Sequence, residues 1–411
     1  MLDEEMKYVI LIGDGMADYP IPERGGKTAL QIAATPNLDF VATAGVCGLV
    51  KTIPEGLAAG SDIATLSILG YDPAKYYTGR GPLEALGMRV PLEEGDLAFR
   101  CNLVTVREGK FADYSGGHPT NEEARGLIAA LNEELGGSGC EFYPGVSYRN
   151  ILVLKSESKN NIFAGAKEIG GAPPHDIIGA RVEEELPREE VLREIVLASR
   201  EIFGKAEKAN LVWLWSGGRK PEMPAFSGRY GVNGGGSVIS GVDLIKGIGR
   251  CVGLEAVEVP GATGYFDTNY EGKVEYALRS LKERDFVLLH VEAPDEAGHL
   301  GEIDLKVKAI EDFDALVVGK MLQGLEQEFA DFKVLVLPDH YTPVSLRTHT
   351  REPVPFAIFS SLQAHAQAHA QAHAQNHFDE IFARQCSLAA GRGVLDARAG
   401  DLMRQLLKEE R

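Results

Sequence analysis

Tyr8-Val9-Ile10-Leu11-Ile12-Gly13-Asp14-Gly15 holds the pattern from which the fold is read. The run from Tyr8 to Ile12 has no polar face, and Val9, Ile10 and Ile12 are β-branched. A strand apolar on both faces belongs in a parallel sheet covered by helices on each side. The run breaks at glycine, which leaves Asp14 just past the strand's carboxyl end. Three further runs follow the same grammar. Leu211-Val212-Trp213-Leu214-Trp215 precedes Ser216-Gly217-Gly218, and Phe286-Val287-Leu288-Leu289-His290-Val291 precedes Glu292-Ala293-Pro294-Asp295. Val334-Leu335-Val336-Leu337 precedes Pro338-Asp339-His340. Helical patterns over 120–135, 187–203, 272–283 and 305–329 alternate with the strands. The alternation predicts an α/β fold with a doubly wound, mostly parallel sheet. Ligands of such sheets sit outside the carboxyl ends of the strands, where Asp14, Asp295 and Asp339 fall.

The segment 96–183 reads differently, as short strands around one helix, and is expected to be an inserted smaller α+β lid domain. That divides the chain into a core segment 1–95, the lid 96–183 and a second core segment 184–411. An Ala-His-Ala-Gln repeat at 363–377 places His365, His369, His373 and His377 four apart. It reads as a low-complexity surface insertion rather than a metal-binding stripe.

Composition narrows the function. The 411 residues contain 60 acidic and 42 basic side chains, a net charge of −18. Nucleic-acid and anionic-membrane partners need a basic surface and are not expected. A small anionic substrate remains compatible, because metal ions and a few arginines can make a local positive pocket. The cysteines, Cys47, Cys101, Cys140, Cys251 and Cys386, are odd in number and form no C-x-x-C pair, which speaks against a disulfide framework. With neither a signal-peptide pattern nor a membrane-length apolar run, a cytoplasmic location is expected. Oligomeric state has no sequence signal here.

Two nucleotide motifs fail on inspection. Gly26-Lys27-Thr28 lacks the first P-loop glycine, since Ile21 stands in its place, and Gly13-Asp14-Gly15 lacks the third dinucleotide glycine, where Asp18 stands. The metal-ligand types form a better set. Asp295 and His299 are four apart, Asp339 and His340 are adjacent, and His349 lies ten beyond Asp339. With Asp14 they make a carboxylate and imidazole set suited to Mn²⁺, Zn²⁺ or a related ion. Singly, each is as well explained by capping or a backbone hydrogen bond. Ser61 follows the small-residue loop Leu57-Ala58-Ala59-Gly60 and opens a helical pattern. It either caps that helix or serves as a nucleophile at an anion-attracting helix N-terminus.

The order Asp, Ser, D-x-x-x-H, D-H and a later His resembles the alkaline phosphatase superfamily. Within it the chain is similar to archaeal-type cofactor-independent (2,3-bisphosphoglycerate-independent) phosphoglycerate mutases. The segments carrying the resemblance include Gly13-Asp14-Gly15-Met16, Thr35-Pro36-Asn37-Leu38-Asp39, Gly60-Ser61-Asp62 and Gly79-Arg80-Gly81-Pro82-Leu83-Glu84-Ala85. Leu69-Gly70-Tyr71-Asp72-Pro73, Ala293-Pro294-Asp295-Glu296-Ala297-Gly298-His299, Asp339-His340 and His349 complete it. The resemblance implies an alkaline phosphatase-like core and two divalent ions. Mn²⁺ is favoured over Zn²⁺, Co²⁺ or Mg²⁺, with no 2,3-bisphosphoglycerate. It assigns Asp295, His299 and His349 to one ion, and Asp14, Ser61, Asp339 and His340 to the other. It further implies that Ser61 carries a phosphoserine intermediate between 3-phosphoglycerate and 2-phosphoglycerate. His118, Arg149, Arg219 and Lys220 are then candidates for gripping the small phosphorylated substrate. Three alternatives stand beside this reading: a homoserine kinase-like phosphotransferase, a metal-dependent phosphomonoesterase and a catalytically silent metal-binding module.

Overall fold

The computed structural model describes residues 6–137, 139–156, 169–204, 206–362, 377–389 and 393–408. Its strands are β1 (Lys7–Gly13), β2 (Val46–Lys51), β3 (Leu97–Arg107), β4 (Lys110–Asp113), β5 (Cys140–Val146), β6 (Arg149–Leu154) and β7 (Leu211–Arg219). They continue with β8 (Gly236–Ile239), β9 (Glu255–Ala256), β10 (Phe286–Val291), β11 (Phe332–Leu337), β12 (Val354–Ser360) and β13 (Leu395–Asp396). The chain divides into two compact units, 1–77 with 223–411, and 78–222.

The first unit is built on an eight-stranded sheet in the order β13-β2-β12-β11-β1-β10-β8-β9. β1 lies between β11 and β10 and runs parallel to both, and β8 runs parallel to β10. Val9, Ile10, Leu11 and Ile12 are all fully buried, as a strand covered on both faces requires. Only β12 reverses, antiparallel to β11 and to β2. Two reversals return β2 to the direction of β1, so β1, β2, β10 and β11 end on one edge of the sheet, where β12 begins. The segments that leave these four strands and the one that enters β12 therefore meet at that edge.

The helical run expected at 305–329 is Ile303–Asp312, a π-helical stretch Phe313–Gly319 and Lys320–Glu328 in succession. Asp314 in the π stretch accepts hydrogen bonds from the Leu38 N–H at 2.7 Å and the Asn37 side-chain amide at 2.7 Å. It thereby satisfies free N–H groups at the start of the helix Pro36–Ala44. The Thr35-Pro36-Asn37-Leu38-Asp39 motif thus has a structural task.

The second unit, Thr78–Glu222, is wider at both ends than the lid read at 96–183. The flanking helices explain the difference. Ala85 of Arg80–Gly87 packs with Ala98, Ile151 and Val153. Leu192, Ile195 and Val196 of Glu190–Phe203 join the core that holds Leu103, Phe111 and Trp213. The run at Leu211 is also corrected. It forms β7, which pairs antiparallel with β3 in this unit's five-stranded sheet rather than joining the parallel sheet. An unbroken apolar run reports burial on both faces and is silent about which sheet buries it.

The repeat at 363–377 lies outside the described residues except for His377, which is exposed with Nδ1 3.0 Å from Asp39 Oδ2. All five cysteines are free thiols. Among the described residues no helix is long and apolar enough to cross a membrane.

Glu380 couples the fold of the first unit to pH. It accepts from Thr28 Oγ1 at 2.7 Å and from the Asp18 N–H at 3.2 Å. Burial raises its carboxyl from an ordinary 4.5 to about 7, although those hydrogen bonds favour the charged form. Between these two values the folded chain holds a proton that the unfolded chain has released. The stabilisation is therefore complete below about pH 4.5 and is lost as pH rises through 7, at no more than about 1.4 kcal/mol per pH unit. Glu380→Gln is expected to flatten this part of the profile and raise the melting temperature at pH 8 relative to wild type. Melting curves from pH 5 to 8 that stay parallel for the two proteins would refute it.

Candidate metal and phosphoryl-transfer site

The edge where β1, β2, β10 and β11 end collects all seven residues of the expected metal set. Asp14 follows β1, and Asp339 and His340 follow β11. Asp295 and His299 sit one turn apart on the helix Ala293–Leu300, after β10. His349 lies on the approach to β12, and Ser61 comes from the loop that leaves β2. Gly15, at φ 61°, lets this crowded arrangement close, because a Cβ there would lie 2.6 Å from Asp295 Oδ1.

Three ligand atoms converge first. His299 Nε2 is 3.1 Å from Asp295 Oδ2, His349 Nε2 is 3.4 Å from Asp295 Oδ1, and the two Nε2 atoms are 2.9 Å apart. The Nδ1–H of His299 donates to the Arg347 carbonyl at 3.0 Å, and that of His349 donates to the Ala59 carbonyl at 3.2 Å. Carbonyls only accept, so each ring carries a hydrogen at Nδ1 and turns its Nε2 edge inward. Burial alone would raise Asp295, yet His349 and His299 hold it well below the usual carboxylate range. Burial likewise opposes the charge on His299, but Asp295 lifts it to about 9.

The second group surrounds Ser61. Its hydroxyl donates to Asp14 Oδ2 at 3.3 Å and lies 3.2 Å from His340 Nε2. That nitrogen is also 3.5 Å from Asp14 Oδ1 and 3.4 Å from Asp339 Oδ2. Thr342 Oγ1 gives its hydrogen to Asp295 Oδ1 and so accepts from His340 Nδ1–H at 3.2 Å. Burial pushes His340 down to about 4, against the pull of Asp339, which keeps its imidazole neutral at pH 7. Asp339 Oδ1 accepts from the Gly15 and His340 N–H groups at 3.1 and 2.9 Å, leaving Oδ2 directed at the site. Ser61 is the first residue of the helix Ser61–Ile68. Gly60 holds the cap position, so helix capping does not account for Ser61.

Charge and satisfaction together test whether cations fit. Burial and then the carboxylates of Asp339 and Asp295 raise Asp14 well above its ordinary value. Asp14 Oδ1 and Asp339 Oδ2 are buried without a hydrogen-bond partner. Native interiors rarely leave such acceptors bare, and divalent ions would satisfy and neutralise them. Asp295 with His299 and His349, and Asp14 with Asp295 and His340, each present ligand atoms within 4.8 Å of one another. The residues fit bound cations.

The sequence reading missed His290, which groups with Asp14 and Asp339 within the same 4.8 Å. It also missed Lys306. That side chain is fully buried and ties the Ala17 carbonyl, Asp18 Oδ2 and the Thr342 carbonyl together at 2.8–3.1 Å.

A family model described as 2,3-bisphosphoglycerate-independent phosphoglycerate mutase matches residues 42–209. A 2,3-bisphosphoglycerate-independent phosphoglycerate mutase of Methanosarcina barkeri is 48% identical over 98% of this chain and 100% of its own. The chain belongs to this family. A further 2,3-bisphosphoglycerate-independent phosphoglycerate mutase, from Methanothrix thermoacetophila, is 46% identical over 98% of this chain and 100% of its own. The solved cofactor-independent phosphoglycerate mutase of Thermoplasma acidophilum superposes with a TM-score of 0.61 at 26% identity, covering 98% of this chain and 100% of that one.

The four substrate-binding candidates all lie in the second unit. His118, at φ 52°, sets its ring 5.6 Å from that of Tyr148, and the Arg149 guanidinium stacks 5.2 Å from the same ring. The structure thus brings His118 and Arg149 to one aromatic side chain. Arg219 ends β7 and donates to the Gly95 carbonyl at 2.5 Å, and Lys220 follows it. A further arginine lies in the same unit. Arg100 is buried, 3.1 Å from Glu84, with its guanidinium 4.6 Å from the Trp215 ring. Burial, reinforced by Arg80 and Arg149 nearby, lowers Arg100 despite Glu84.

Proposed function

We infer that this protein is a cytoplasmic enzyme interconverting 3-phosphoglycerate and 2-phosphoglycerate through a phosphoserine on Ser61. The observation that carries the reading is the setting of Ser61 Oγ. It lies 3.3 Å from Asp14 and 3.2 Å from His340, at a helix start and within a buried set of metal-ligand atoms. Membership of the family supports the substrate. Asp295, His299 and His349 would hold one divalent ion, and Asp14, Ser61, Asp339 and His340 the other. Mn²⁺ is favoured because nitrogen and carboxylate donors are mixed. Such ions lower the pKa of the serine hydroxyl and offset the charge of an arriving phosphate.

The chain's own groups do the rest. Asp14 Oδ2 and His340 Nε2 fix the position of Oγ, and the helix start favours the anion. The Oγ–P bond forms as the bond from phosphorus to O3 breaks, and the released glycerate takes up a proton at O3. Glycerate turns, and its O2 gains phosphorus as the Oγ–P bond breaks. Ser61 loses its hydroxyl proton as O3 gains one in the first half, and regains one as O2 loses its own in the second. His118, Arg149, Arg219 and Lys220 are the candidates for binding the carboxylate and phosphate of the substrate. Water must be kept from the phosphoserine, or hydrolysis would compete.

The test is purified protein with 3-phosphoglycerate and Mn²⁺, read as 2-phosphoglycerate. Formation of that isomer without nucleotide or 2,3-bisphosphoglycerate is the expected result. Release of free phosphate in its place, or phosphorylation of homoserine at the expense of ATP, would overturn it.

A further inference from the structure

His290 closes β10, one residue before its end, and is fully buried. Its Nδ1 lies 3.2 Å from Glu292 Oε1. Glu292 also accepts from Ser240 Oγ at 2.5 Å, from the Gly241 N–H at 3.1 Å and from the buried Lys273 ammonium at 3.2 Å. Lys273 in turn donates to the His290 carbonyl at 3.1 Å. A carboxylate ringed by hydroxyl, amide and ammonium donors is an ionised acceptor, so His290 must present Nδ1–H to it. The ring is therefore locked in orientation and tautomer, with Nε2 on its far side.

That Nε2 has no hydrogen-bond partner. It lies 3.5 Å from Asp14 Oδ2, in a group whose ligand atoms on Asp14, His290 and Asp339 are all within 4.8 Å of one another. Asp14 Oδ1 and Asp339 Oδ2 are bare as well. A ring nitrogen and two carboxyl groups face one buried point, and each has an atom without the partner that buried polar atoms ordinarily have. One cation would satisfy all three. A carboxylate that orients a histidine toward an ion is a recurrent arrangement around metals, and the second ring nitrogen is then the ligand.

We propose that His290 Nε2 is a direct ligand of the divalent cation held by Asp14 and Asp339, with Glu292, Lys273 and Ser240 as the residues that position it. The proposal rests on the two-ion reading above and adds to it a ligand on a different strand. It also gives that ion a second imidazole beside His340, which tilts its selectivity toward first-row transition ions and away from Mg²⁺. The competing account is an imidazolium at His290 that pairs with Asp14 and needs no cation.

Metal binding separates the two. Ion-free full-length protein is titrated with Mn²⁺, free Mn²⁺ being read by its electron paramagnetic resonance signal, for wild type, His290→Asn and Glu292→Gln. Circular dichroism checks the fold of each ion-free variant. His290→Asn is expected to weaken one of the two ions by about 100-fold and spare the other, and Glu292→Gln to weaken the same ion by about 10-fold. Pulsed resonance of the Asp295→Asn variant, which empties the three-ligand site, provides a count that holds even if His290→Asn fails to fold. Two directly bound imidazole nitrogens on the remaining Mn²⁺ support the proposal, and one overturns it. Unchanged affinity in folded His290→Asn overturns it equally. Wild-type protein that binds no divalent ion would instead remove the two-ion reading itself.

Discussion

Ser61→Ala is expected to lower mutase turnover by roughly 10⁴-fold or more, because a nucleophile acting through a covalent intermediate has no substitute nearby. The hydroxyl's two neighbours, Asp14 and His340, are ligand-type groups rather than alternative alcohols. The substitution should leave the fold standing. Gly60 holds the cap position and Ser61 is only partly buried, so stability should change by no more than about 1 kcal/mol. Initial rates of 2-phosphoglycerate formation, with a melting curve for each protein, make the comparison. A folded Ser61→Ala protein that turns over within tenfold of wild type would refute the covalent role.

Removal of metal should be nearly as damaging. Exhaustive chelation is expected to abolish turnover, and added Mn²⁺ to restore it. The physical reason is the crowding of Asp14, Asp295 and Asp339. Burial, then the neighbouring carboxylates of Asp339 and Asp295, drive Asp14 well above its usual range. Without ions the site would protonate or open, and Ser61 would lose the charge that makes it reactive. Stability should fall too, since ligand at about 100 times its dissociation constant contributes about 2.7 kcal/mol. Calorimetry with and without Mn²⁺ measures that difference. Full turnover in chelated protein shown to be free of metal would be incompatible with the mechanism.

Much of the site could be read before the fold because its residues follow strands with unmistakable patterns. The runs at Tyr8, Phe286 and Val334 are apolar on both faces, and Asp14, Asp295 and Asp339 come where each has ended. Their adjacency follows from β1 lying between β10 and β11. Ser61 was ambiguous, since a serine opening a helix is ordinarily a cap, and only the position of Gly60 decides otherwise.

What was misread depended on long-range pairing. The run at Leu211 is as apolar as the others, yet its partner is β3. The helices Arg80–Gly87 and Glu190–Phe203 carry no mark of the unit whose core they complete. His290 sits inside an apolar run, where a histidine looks like a core residue. Its significance comes from Glu292, two residues on, which Ser240 and Lys273 hold in place from separate elements.

The central claim is that Ser61, among these ligands, accepts the phosphoryl group. Mn²⁺-loaded enzyme mixed with 3-phosphoglycerate and quenched in acid within its first turnovers can be digested and read by mass spectrometry. The account predicts one phosphoryl group on the peptide containing Ser61, assigned to that residue and absent after chelation. An active enzyme whose Ser61 stays unmodified, or whose phosphoryl group is on another side chain, would contradict it.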